Sequence, residues 1–538
     1  MNPAQIRVHP LTYVIAGALL VAATLATFWP VLDNGFVNWG DDQEIVGNER
    51  FRGFSGPHLQ WMFSVNLMGH YQPLSWLTLA LDHQLWGLNP RGFHLTTLLL
   101  HAACAVAAMV LIVQLVRLAQ PTANIPGTWL IAAAMIGALT FAVHPLRVEE
   151  VAWTAERRGP LSALFYVLTI SFYLASISQR REWWRRRGRL TRARTVGGEG
   201  FRRVALVCFL LSLLAKEFGF LLPVVLLILD AYPLRRLRVT PRGLLNRLIT
   251  LIFDKWEFFA LGALWALVAV WSSAASNVAK DLSEYGILQR LAQAFFGLSF
   301  YVEKTIWPSG LSPIYSIPPK LDPFAITYWG RAAFVILITV ALWTFRKRAP
   351  GALAAWAVYV VIVSPVLGLT QTGRQIAADR YTYLPAIGLA AVLAGGIVQL
   401  RNARSAGWRS GSIGQALILA IASVGYGYAA HRQTQVWRDS QTLWEHALAV
   451  NPRCPVAHNN LAVVRAEASR ADEAIALFRR GIELDPKNYE AYRNLGVIFA
   501  QRNDMKAAVE AWRAAMAINS DDRITASYLE RATQLSQP

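Results

Sequence analysis

Residues 93–117 read FHLTTLLLHAACAVAAMVLIVQLVR, an apolar run that contains no acidic residue and has its single arginine at the last position. A helix that crosses a membrane needs about 20 predominantly apolar residues. Similar runs recur over the first 430 residues, and the whole chain is 54% hydrophobic and 16% charged. One soluble core cannot bury so many apolar runs, so the sequence predicts an all-α, polytopic membrane protein.

About eleven runs are candidate spans. The first is expected to stay uncleaved, because no small-residue cleavage pattern follows it. Two short runs flank Lys216 and Glu217, which predicts helices that break at the membrane surface. The stretch 288–308 contains Glu303 and Lys304, so we interpret it as interfacial or re-entrant, with a further span as the alternative. The predicted spans are 11–31, 93–117, 129–146, 160–178, 203–215, 218–231, 257–275, 329–345, 352–369, 383–400 and 412–430.

The net charge of +19 is distributed unevenly. From His431 to the end, fourteen Lys and Arg are balanced by thirteen Asp and Glu, so the excess belongs to the connections between apolar runs. Arginine-rich connections are typical of the cytoplasmic side of membrane proteins, which explains the charge without nucleic acid. With residues 179–203 cytoplasmic, the N-terminus lies inside and residues 431–538 lie outside. The Ala- and Arg-rich usage favours a bacterial inner membrane, with membrane lipids as partners and the outer face periplasmic.

The longest outer connection spans residues 32–92. Within it, the stretches 58–63 and 74–86 place aromatic and aliphatic residues at helical spacing, including Trp61, Trp76 and Trp86. Amphipathic helices of this kind tend to lie along the lipid headgroups. We therefore expect two interfacial helices that cover the outer face, although a plain anchoring role fits the pattern equally well.

After residue 430 the composition becomes amphipathic and internally repeated. Ala457 and Asn460 recur 34 positions later as Ala491 and Asn494. A period of 34 is typical of tetratricopeptide repeats, in which helix pairs stack into a solenoid with a concave face. Residues 431–538 therefore form two full repeats with flanking half-units, after a transmembrane domain over residues 1–430. We expect Asn460 and Asn494 to contact a protein acceptor or partner; a spacer or an oligomerisation element is the alternative.

Polar residues gather in four of the outer connections. One holds the adjacent Asp41 and Asp42, and another holds Lys216 and Glu217 between two apolar runs. Charges at a membrane face are costly unless they pair or act on a substrate, and each cluster alone could be an ion pair or, for the aspartates, a turn. Four clusters on one face favour a shared active site. Other candidates for that site, in the two remaining connections, are His144, Glu149, Glu150, Asp379, Tyr381 and Tyr383.

These residue types suit glycosyl transfer from a lipid phosphate. The reaction needs cations that hold the phosphate as negative charge develops on it, and the arginine fork is well matched to phosphate oxygens. It also needs a base for the attacking hydroxyl, for which Asp41 or Asp42 is the candidate. We favour Asp41, because Asp42 could instead cap the helix that follows. The candidate phosphate ligands are Arg157, Arg158, Lys216, Arg374 and Arg380.

The order of motifs resembles the transmembrane and tetratricopeptide-repeat O-mannosyltransferase (TMTC) family and its bacterial relatives, within the GT-C superfamily of membrane glycosyltransferases. The resemblance extends over essentially the whole chain, including the terminal repeats. The motifs are Asn38-Trp39-Gly40-Asp41-Asp42, Tyr71-Gln72-Pro73-Leu74-Ser75-Trp76, His144-Pro145-Leu146-Arg147-Val148-Glu149 with Trp153 and Glu156-Arg157-Arg158, Trp307-Pro308-Ser309-Gly310-Leu311, and Ala378-Asp379-Arg380-Tyr381-Thr382-Tyr383-Leu384-Pro385.

The resemblance implies a GT-C-like fold and a polyprenyl- or dolichyl-phosphate-linked monosaccharide as donor. It further implies a hydroxyl on a protein or other carrier as acceptor, transfer with inversion, and an acidic base in the first outer loop, which corresponds to Asp41 and Asp42. The chain departs from the family pattern at Arg147, Glu150 and Gly159. Its repeat array is also shorter than those of animal members.

No cofactor is expected beyond the donor lipid. An aspartate pair could bind a divalent metal, but arginine and lysine alone can hold a monophosphate, so a required metal is not favoured. Cys104 and Cys208 lie in apolar runs and Cys454 stands alone, which predicts neither a disulfide framework nor a metal site. The alternative function is a membrane-anchored repeat scaffold without activity. A transporter would place charges within its spans and repeat its halves, and neither pattern is clear.

Overall fold

The computed structural model describes residues 9–120, 125–187, 196–237, 241–275, 285–318, 321–369, 373, 375–401 and 406–535. The helices before the repeats are α1 Pro10–Phe28, α2 Gly56–Ser64, α3 Pro73–Trp86, α4 Pro90–Ala119, α5 Gly127–Ala142, α6 Val148–Ala152, α7 Arg158–Arg187, α8 Val196–Ala215, α9 Leu222–Ala231, α10 Pro241–Phe253, α11 Trp256–Ala275, α12 Ile287–Ile306, α13 Ile326–Thr344, α14 Pro350–Val363, α15 Tyr383–Arg401 and α16 Ala406–Thr434. Two short strands, β1 Tyr315–Ser316 and β2 Gln375–Ala377, pair antiparallel. The all-α prediction is confirmed.

Six helical stretches in the described part of the chain are long and apolar enough to cross a membrane: Pro10–Asp33, Pro90–Ala119, Thr154–Gln179, Ile326–Thr344, Asp379–Arg401 and Gly411–Trp437. A seventh results if α5 and the segment Pro145–Ala152, which are bent by 62°, form one span.

The prediction of about eleven spans needs correction. All eleven predicted runs lie on helices, but several of these helices are short. Helix α9 has 10 residues and α14 has 14. At about 1.5 Å per residue they measure roughly 15 and 21 Å, less than the roughly 30 Å of a bilayer core. Apolar composition alone therefore overestimated the number of complete crossings.

The break predicted at Lys216 and Glu217 is confirmed. Helix α8 ends at Ala215, and Lys216 adopts an extended conformation with φ −155° and ψ 126°. A 3-10 turn over Glu217–Leu221 follows, and α9 begins at Leu222 with Pro223 in its first turn. The first N–H groups of a helix have no partner within the helix, so proline, which lacks this group, is tolerated there and marks the start of α9. Two charged side chains are thereby presented between apolar helices.

The first outer loop has its own small core. Helices α2 and α3 confirm the two helices predicted within it. Phe51, Met62, Trp76 and Phe93 are fully buried against one another. Trp86 is 46% exposed, whereas Trp76 is covered completely. Trp76 is therefore a core residue of a folded cap that packs on α4.

The stretch 288–308 forms α12, which packs against α13. Glu303 of α12 lies 3.2 Å from the Arg331 guanidinium of α13. Helix α12 is not among the six stretches that meet the length and hydropathy requirement within the described residues. The interpretation of this stretch as interfacial or re-entrant stays a prediction.

The terminal helices are α17 Ser440–Val450, α18 Pro455–Glu467, α19 Ala471–Leu484, α20 Tyr489–Gln501, α21 Met505–Ile518 and α22 Arg523–Leu535. Helices α18 and α19 form one antiparallel pair, and α20 and α21 form the next. Ala457, Ala474, Ala491 and Ala508 are completely buried, one on each of these helices, because only a small side chain fits where the helices cross. The two predicted repeats are confirmed, with α17 and α22 as half-units.

Helix α5 and helix α15 approach closely at a glycine. A Cβ atom on Gly137 would lie 2.6 Å from the backbone oxygen of Ala390. Small residues at such crossings let membrane helices pack backbone against backbone. The contact therefore depends on the absence of a side chain at position 137.

We expect Gly137→Ala to destabilise the protein by about 1–3 kcal/mol, because α5 must shift away from α15. Thermal unfolding in detergent measures the effect. Gly330 of α13 is the matched control, since a Cβ there would meet nothing within 4 Å. Gly330→Ala should leave stability unchanged or slightly raised, because alanine favours helices. Equal unfolding temperatures for the two variants would contradict this account of the crossing.

Candidate active site

A cavity of about 900 Å³ lies between the first outer loop, the start of α7, the α8–α9 break, α11 and the first repeat. Its wall combines charged residues of the membrane domain with side-chain amides of the repeats. The polar and aromatic lining residues include Trp39, His70, Glu156, Arg158, Lys216, Glu217, Arg380, Tyr381, Asn459, Asn460 and Asn488. Three of the predicted charged clusters thus reach one cavity.

Glu156 lies between two cations. Arg158 donates through Nε and Nη2 to Glu156 Oε2 at 3.1 and 3.0 Å. Lys216 contacts the other oxygen of Glu156 and lies 3.5 Å from Glu150 Oε1. Burial disfavours the Lys216 ammonium, but Glu150 and Glu156 outweigh burial and raise the pKa of Lys216. Lys216 therefore stays charged at neutral pH although it is largely enclosed.

Arg380 supplies a third cation on the opposite wall. Its guanidinium contacts Glu149 Oε1, and its backbone N–H donates to Glu149 Oε2 at 2.7 Å. The guanidinium also lies 5.4 Å from the Trp153 ring centre and 5.0 Å from that of Tyr381. Ring faces attract cations, so these contacts fix the orientation of Arg380 toward the cavity.

His70 and Glu217 form a pair in the same wall. His70 Nδ1 lies 2.7 Å from Glu217 Oε1, and the His70 side chain is 24% exposed. Burial raises the pKa of Glu217, but His70 and Arg158 together with hydrogen bonds outweigh burial and hold this pKa below its usual value. Glu44, behind this wall, accepts a hydrogen bond from Gln72 at 3.1 Å, and burial raises its pKa.

Asp41 and Asp42 do not line the cavity. Asp41 is fully buried, and its two oxygens accept hydrogen bonds from the backbone N–H of Ala155 at 2.8 Å and of Val37 at 3.1 Å. Asp42 is exposed, and its Oδ1 accepts from the backbone N–H of Gly40 at 3.1 Å. In this arrangement Asp41 ties the first outer loop to the segment that carries Glu156.

The prediction of Arg157 as a phosphate ligand is corrected. Arg157 is 1% exposed and pairs with Asp82 at 2.5 Å. It also donates to Thr97 Oγ1 at 3.2 Å and to the backbone oxygen of Phe93 at 2.7 Å. All of these partners lie away from the cavity, so Arg157 ties α7 to α3 and α4. Arg374 lies outside the described residues.

Several predicted site residues form a second network behind the wall. Arg147 donates to Thr382 Oγ1 at 2.8 Å and lies 5.4 Å from the Tyr383 ring centre. The Tyr383 hydroxyl is 2.6 Å from His101 Nδ1. Asp379 accepts from the Tyr315 hydroxyl at 2.9 Å, and His144 bonds the backbone oxygen of Thr305 at 2.9 Å. Of the candidates other than cations, Glu217 and Tyr381 reach the cavity, whereas His144, Glu149, Glu150, Asp379 and Tyr383 support it from outside.

Two departures from the family pattern are physically linked. A Cβ on Gly159 would lie 1.4 Å from Glu150 Oε2, so the Glu150 carboxylate occupies the space that any other residue at position 159 would need. Glu150 is 1% exposed, and its other oxygen faces Lys216. Gly159 therefore makes room for Glu150, and Glu150 supports the position of Lys216.

The repeats dock on the membrane domain through Asn38 and a group of tryptophans. Asn38 accepts from Trp444 Nε1 at 2.5 Å, and its backbone N–H donates to Ser440 Oγ at 2.9 Å. Trp39 packs edge to face on Trp444 at 5.2 Å and stacks on Trp153 at 6.2 Å. This contact holds the first repeat over the cavity.

Both predicted repeat asparagines are near the cavity, but only one lines it. Asn460 lies in the wall beside Asn459, whereas Asn494 is one helix pair further along. Asn494 Nδ2 donates to Asn459 Oδ1 at 3.5 Å, so the asparagines of successive repeats are adjacent. A continuous row of amides thus leads from the repeats into the cavity.

Sequence reasoning missed His70 and Asn459 as site residues. His70 directly precedes the Tyr71-Gln72-Pro73 motif, and this adjacency was the signal available. Asn459 is next to the predicted Asn460 and points into the same space. The partnership of His70 with Glu217 joins positions 147 residues apart, which no local pattern reveals.

These features define a class: a multi-pass, helical membrane protein in which tetratricopeptide repeats close over a charged cavity. A family model for tetratricopeptide repeats matches residues 427–488 and 477–523. The chain is 22% identical to protein O-mannosyl-transferase Tmtc3 of Drosophila melanogaster over 82% of its own length, and 22% identical to human TMTC1 over 90%. With human TMTC2 it shares 30% identity over 172 residues, 31% of this chain and 17% of that one. The chain is thus similar to TMTC proteins over most of its own length.

The chain spans about half the length of the curated relatives it matches, 51% of Tmtc3 and 56% of TMTC1. Among solved structures, the crystal structure of the APC/C hetero-tetramer Cut9-Hcn1 aligns over 90% of this chain and 99% of that chain at 13% identity. Its TM-score of 0.23 is too low to establish a common fold.

The buried carboxyl group of Asp41 predicts a measurable effect of pH on stability. Burial raises the pKa of Asp41 to about 8, against the opposing effect of the Val37 and Ala155 amides. The folded protein holds this proton more tightly than the unfolded chain. Protonated Asp41 therefore stabilises the fold most at a pH below the ordinary carboxyl pKa. This contribution to stability is lost as pH rises toward 8.

Asp41→Asn removes the titration while keeping the side-chain shape. We expect the unfolding temperature of the wild type, relative to this variant, to fall as pH rises from about 5 to about 8. Melting curves of both proteins at each pH measure the difference. A difference that stays constant with pH would show that Asp41 is not held in its protonated form by burial.

Proposed function

We propose that the protein is a membrane glycosyltransferase that moves a monosaccharide from a polyprenyl-phosphate carrier to an acceptor hydroxyl. The single observation behind this proposal is the cavity in which three cations, Arg158, Lys216 and Arg380, lie opposite the amides of the first repeat. The cations suit the donor and the amides suit a protein acceptor. The names of the relatives point to the same reaction class.

The donor phosphate would bind among the three cations. The membrane-domain part of the cavity wall contains these cations and two carboxylates, Glu156 and Glu217. A phosphate therefore meets three cations that are held in place by their carboxylate partners Glu149, Glu150 and Glu156. Negative charge grows on the phosphate as the bond to the sugar breaks, and fixed cations in an enclosed site stabilise this charge more than water does. The leaving group is already anionic, so no strong general acid is required.

The acceptor is proposed to be a Ser or Thr hydroxyl on an extended protein segment. Side-chain amides can donate to and accept from a peptide backbone, whatever its sequence. Asn459 and Asn460 offer such groups directly at the cavity. Attack on the sugar from the face opposite the phosphate gives inversion. We further propose that the cavity and repeats face the periplasm of a bacterial inner membrane, with the N-terminus cytoplasmic.

The role of Asp41 is proposed to be positioning rather than proton transfer. The resemblance assigns the base to Asp41 or Asp42, but both Asp41 oxygens already accept backbone N–H groups and Asp42 is on the surface. Asp41 fixes the loop that carries Trp39 and the segment that carries Glu156. Its loss would weaken transfer by loosening both walls of the cavity.

The test uses the full chain in lipid nanodiscs with a panel of polyprenyl-phosphate monosaccharides. Acceptors are unfolded extracytoplasmic proteins, and transfer is read by intact-protein mass spectrometry. Transfer from one donor supports the proposal, and unchanged transfer in EDTA supports the expectation that no metal is required. A tight complex with a partner protein, without turnover of any donor, would instead identify a repeat scaffold.

Lys216→Met should lower kcat by about 10²–10³-fold, because one cation is removed from the developing phosphate charge. The side-chain volume is nearly kept, but Glu150 and Glu156 lose a cation, so melting curves must show that the variant is folded before its rate is compared. Lys347→Met is the matched control, since Lys347 is exposed and far along the chain from the cavity wall. Wild-type turnover by Lys216→Met would rule out a role for this lysine in phosphate binding.

Asn460→Ala should raise KM for the protein acceptor by about 10-fold and leave KM for the donor lipid unchanged, because the lost amide is on the proposed acceptor side of the cavity and its protein partner is Asn459. Initial rates at varied acceptor concentration provide the measurement. Gln501→Ala, an exposed amide at the end of α20, is the control and should behave as wild type. Equal effects on both KM values would indicate that the repeat wall has shifted as a whole.

A further inference from the structure

We infer that His70 is the general base of the transfer reaction and that Glu217 orients it. This inference rests on the proposed function and assigns its proton-transfer step. His70 lies in the cavity wall together with Lys216, Arg158 and Glu217. It is the one imidazole in that wall among the described residues, and the aspartates of the first outer loop do not reach the cavity.

The Glu217 contact fixes the protonation geometry of His70. Glu217 Oε1 lies 2.7 Å from Nδ1, so an ionised Glu217 accepts the Nδ1 proton. A neutral imidazole that donates through Nδ1 has its lone pair on Nε2. No hydrogen bond joins Nε2 to another described residue, and the ring is 24% exposed where it borders the cavity. The accepting nitrogen is therefore available to a substrate hydroxyl.

The fold holds His70 and Glu217 in the same cavity as a proposed phosphate cation. Glu217 follows Lys216 directly in the chain, so the base and one phosphate cation are held by the same α8–α9 break. The segment that holds His70 is itself fixed, because Asn66 donates to the Ser272 backbone oxygen of α11 at 2.8 Å. The imidazole and a phosphate cation therefore border the same cavity, in which the acceptor hydroxyl would attack.

The step balances without any further reactant. The acceptor oxygen forms a bond to the anomeric carbon of the sugar as its proton moves to His70 Nε2. The bond from that carbon to the phosphate oxygen breaks, and its electron pair stays on the phosphate. The products are the glycoside, polyprenyl phosphate and a protonated His70, which returns its proton to phosphate or water. Glu217 remains ionised and stabilises the imidazolium.

The experiment compares His70→Ala with wild type in the nanodisc assay. A positioned base contributes about 10²–10⁴-fold, so kcat should fall by that factor while KM for the donor lipid changes little. Added imidazole should restore part of the lost turnover in His70→Ala, which a purely structural histidine would not allow. Glu217→Gln should lower kcat less and should not respond to imidazole.

His58→Ala is the matched control. His58 lies in the same outer loop and bonds Ser55 Oγ at 2.7 Å, but it is outside the cavity wall. It should transfer sugar at the wild-type rate. Melting curves of all variants separate loss of turnover from loss of folding.

The outcomes separate this inference from the proposed function. Wild-type protein that turns over no donor in the panel overturns the proposed function. Wild-type protein that transfers sugar while His70→Ala keeps full turnover overturns the assignment of His70 alone. A second result also overturns the assignment of His70. In it, imidazole does not rescue His70→Ala, and Asp41→Asn or Asp42→Asn abolishes transfer without loss of stability. The base would then be one of the two aspartates.

Discussion

The interaction on which the site depends is the position of Glu156 between Arg158 and Lys216. All three side chains are largely enclosed, and an isolated charge in such a place would cost several kcal/mol, on the order of the whole stability of a domain. Pairing avoids that cost: Glu156 contacts both cations, and Lys216 also lies near Glu150. The break between α8 and α9, the short helix α6 and the glycine at position 159 all serve to bring these groups together.

The ion-pair partners of Arg157 and Arg158 give these adjacent arginines different roles. Arg157 and Asp82 pair with each other away from the cavity, so they contribute rigidity to the contact between α3, α4 and the start of α7. Arg158, one residue later, points the other way and shares its partner with Lys216. Adjacent arginines thus have opposite roles because the chain turns from a 3-10 segment into α7 between them. The Arg157–Asp82 pair stabilises the fold away from the cavity. Arg158 and Lys216 line the cavity, where they could contact a bound anion.

Much of this arrangement could be predicted from the sequence. Apolar runs placed the helices, the period in residues 457–494 gave the repeats, and Lys216 with Glu217 marked a break. The number of complete spans could not be predicted, because α9 and α14 are apolar but short. Which charged residues face the cavity was also beyond the sequence. Arg157 and Arg158 are identical in type and adjacent, and only tertiary contacts decide which one reaches a substrate.

One short segment, residues 38–41, contacts both the repeats and the cavity wall. Asn38 bonds α17 and α18, Trp39 lines the cavity, and Asp41 holds the segment that carries Glu156. A displacement of the first repeat is therefore expected to move the cavity wall, since these residues lie in one short segment and their partners lie on both sides. Binding of a protein along the repeats and binding of a lipid at the cations would then influence each other, and thermodynamic linkage requires the influence to be equal in both directions. A scaffold with no chemistry would gain nothing from that coupling, whereas an enzyme gains selectivity, because the acceptor helps to complete the site in which it reacts.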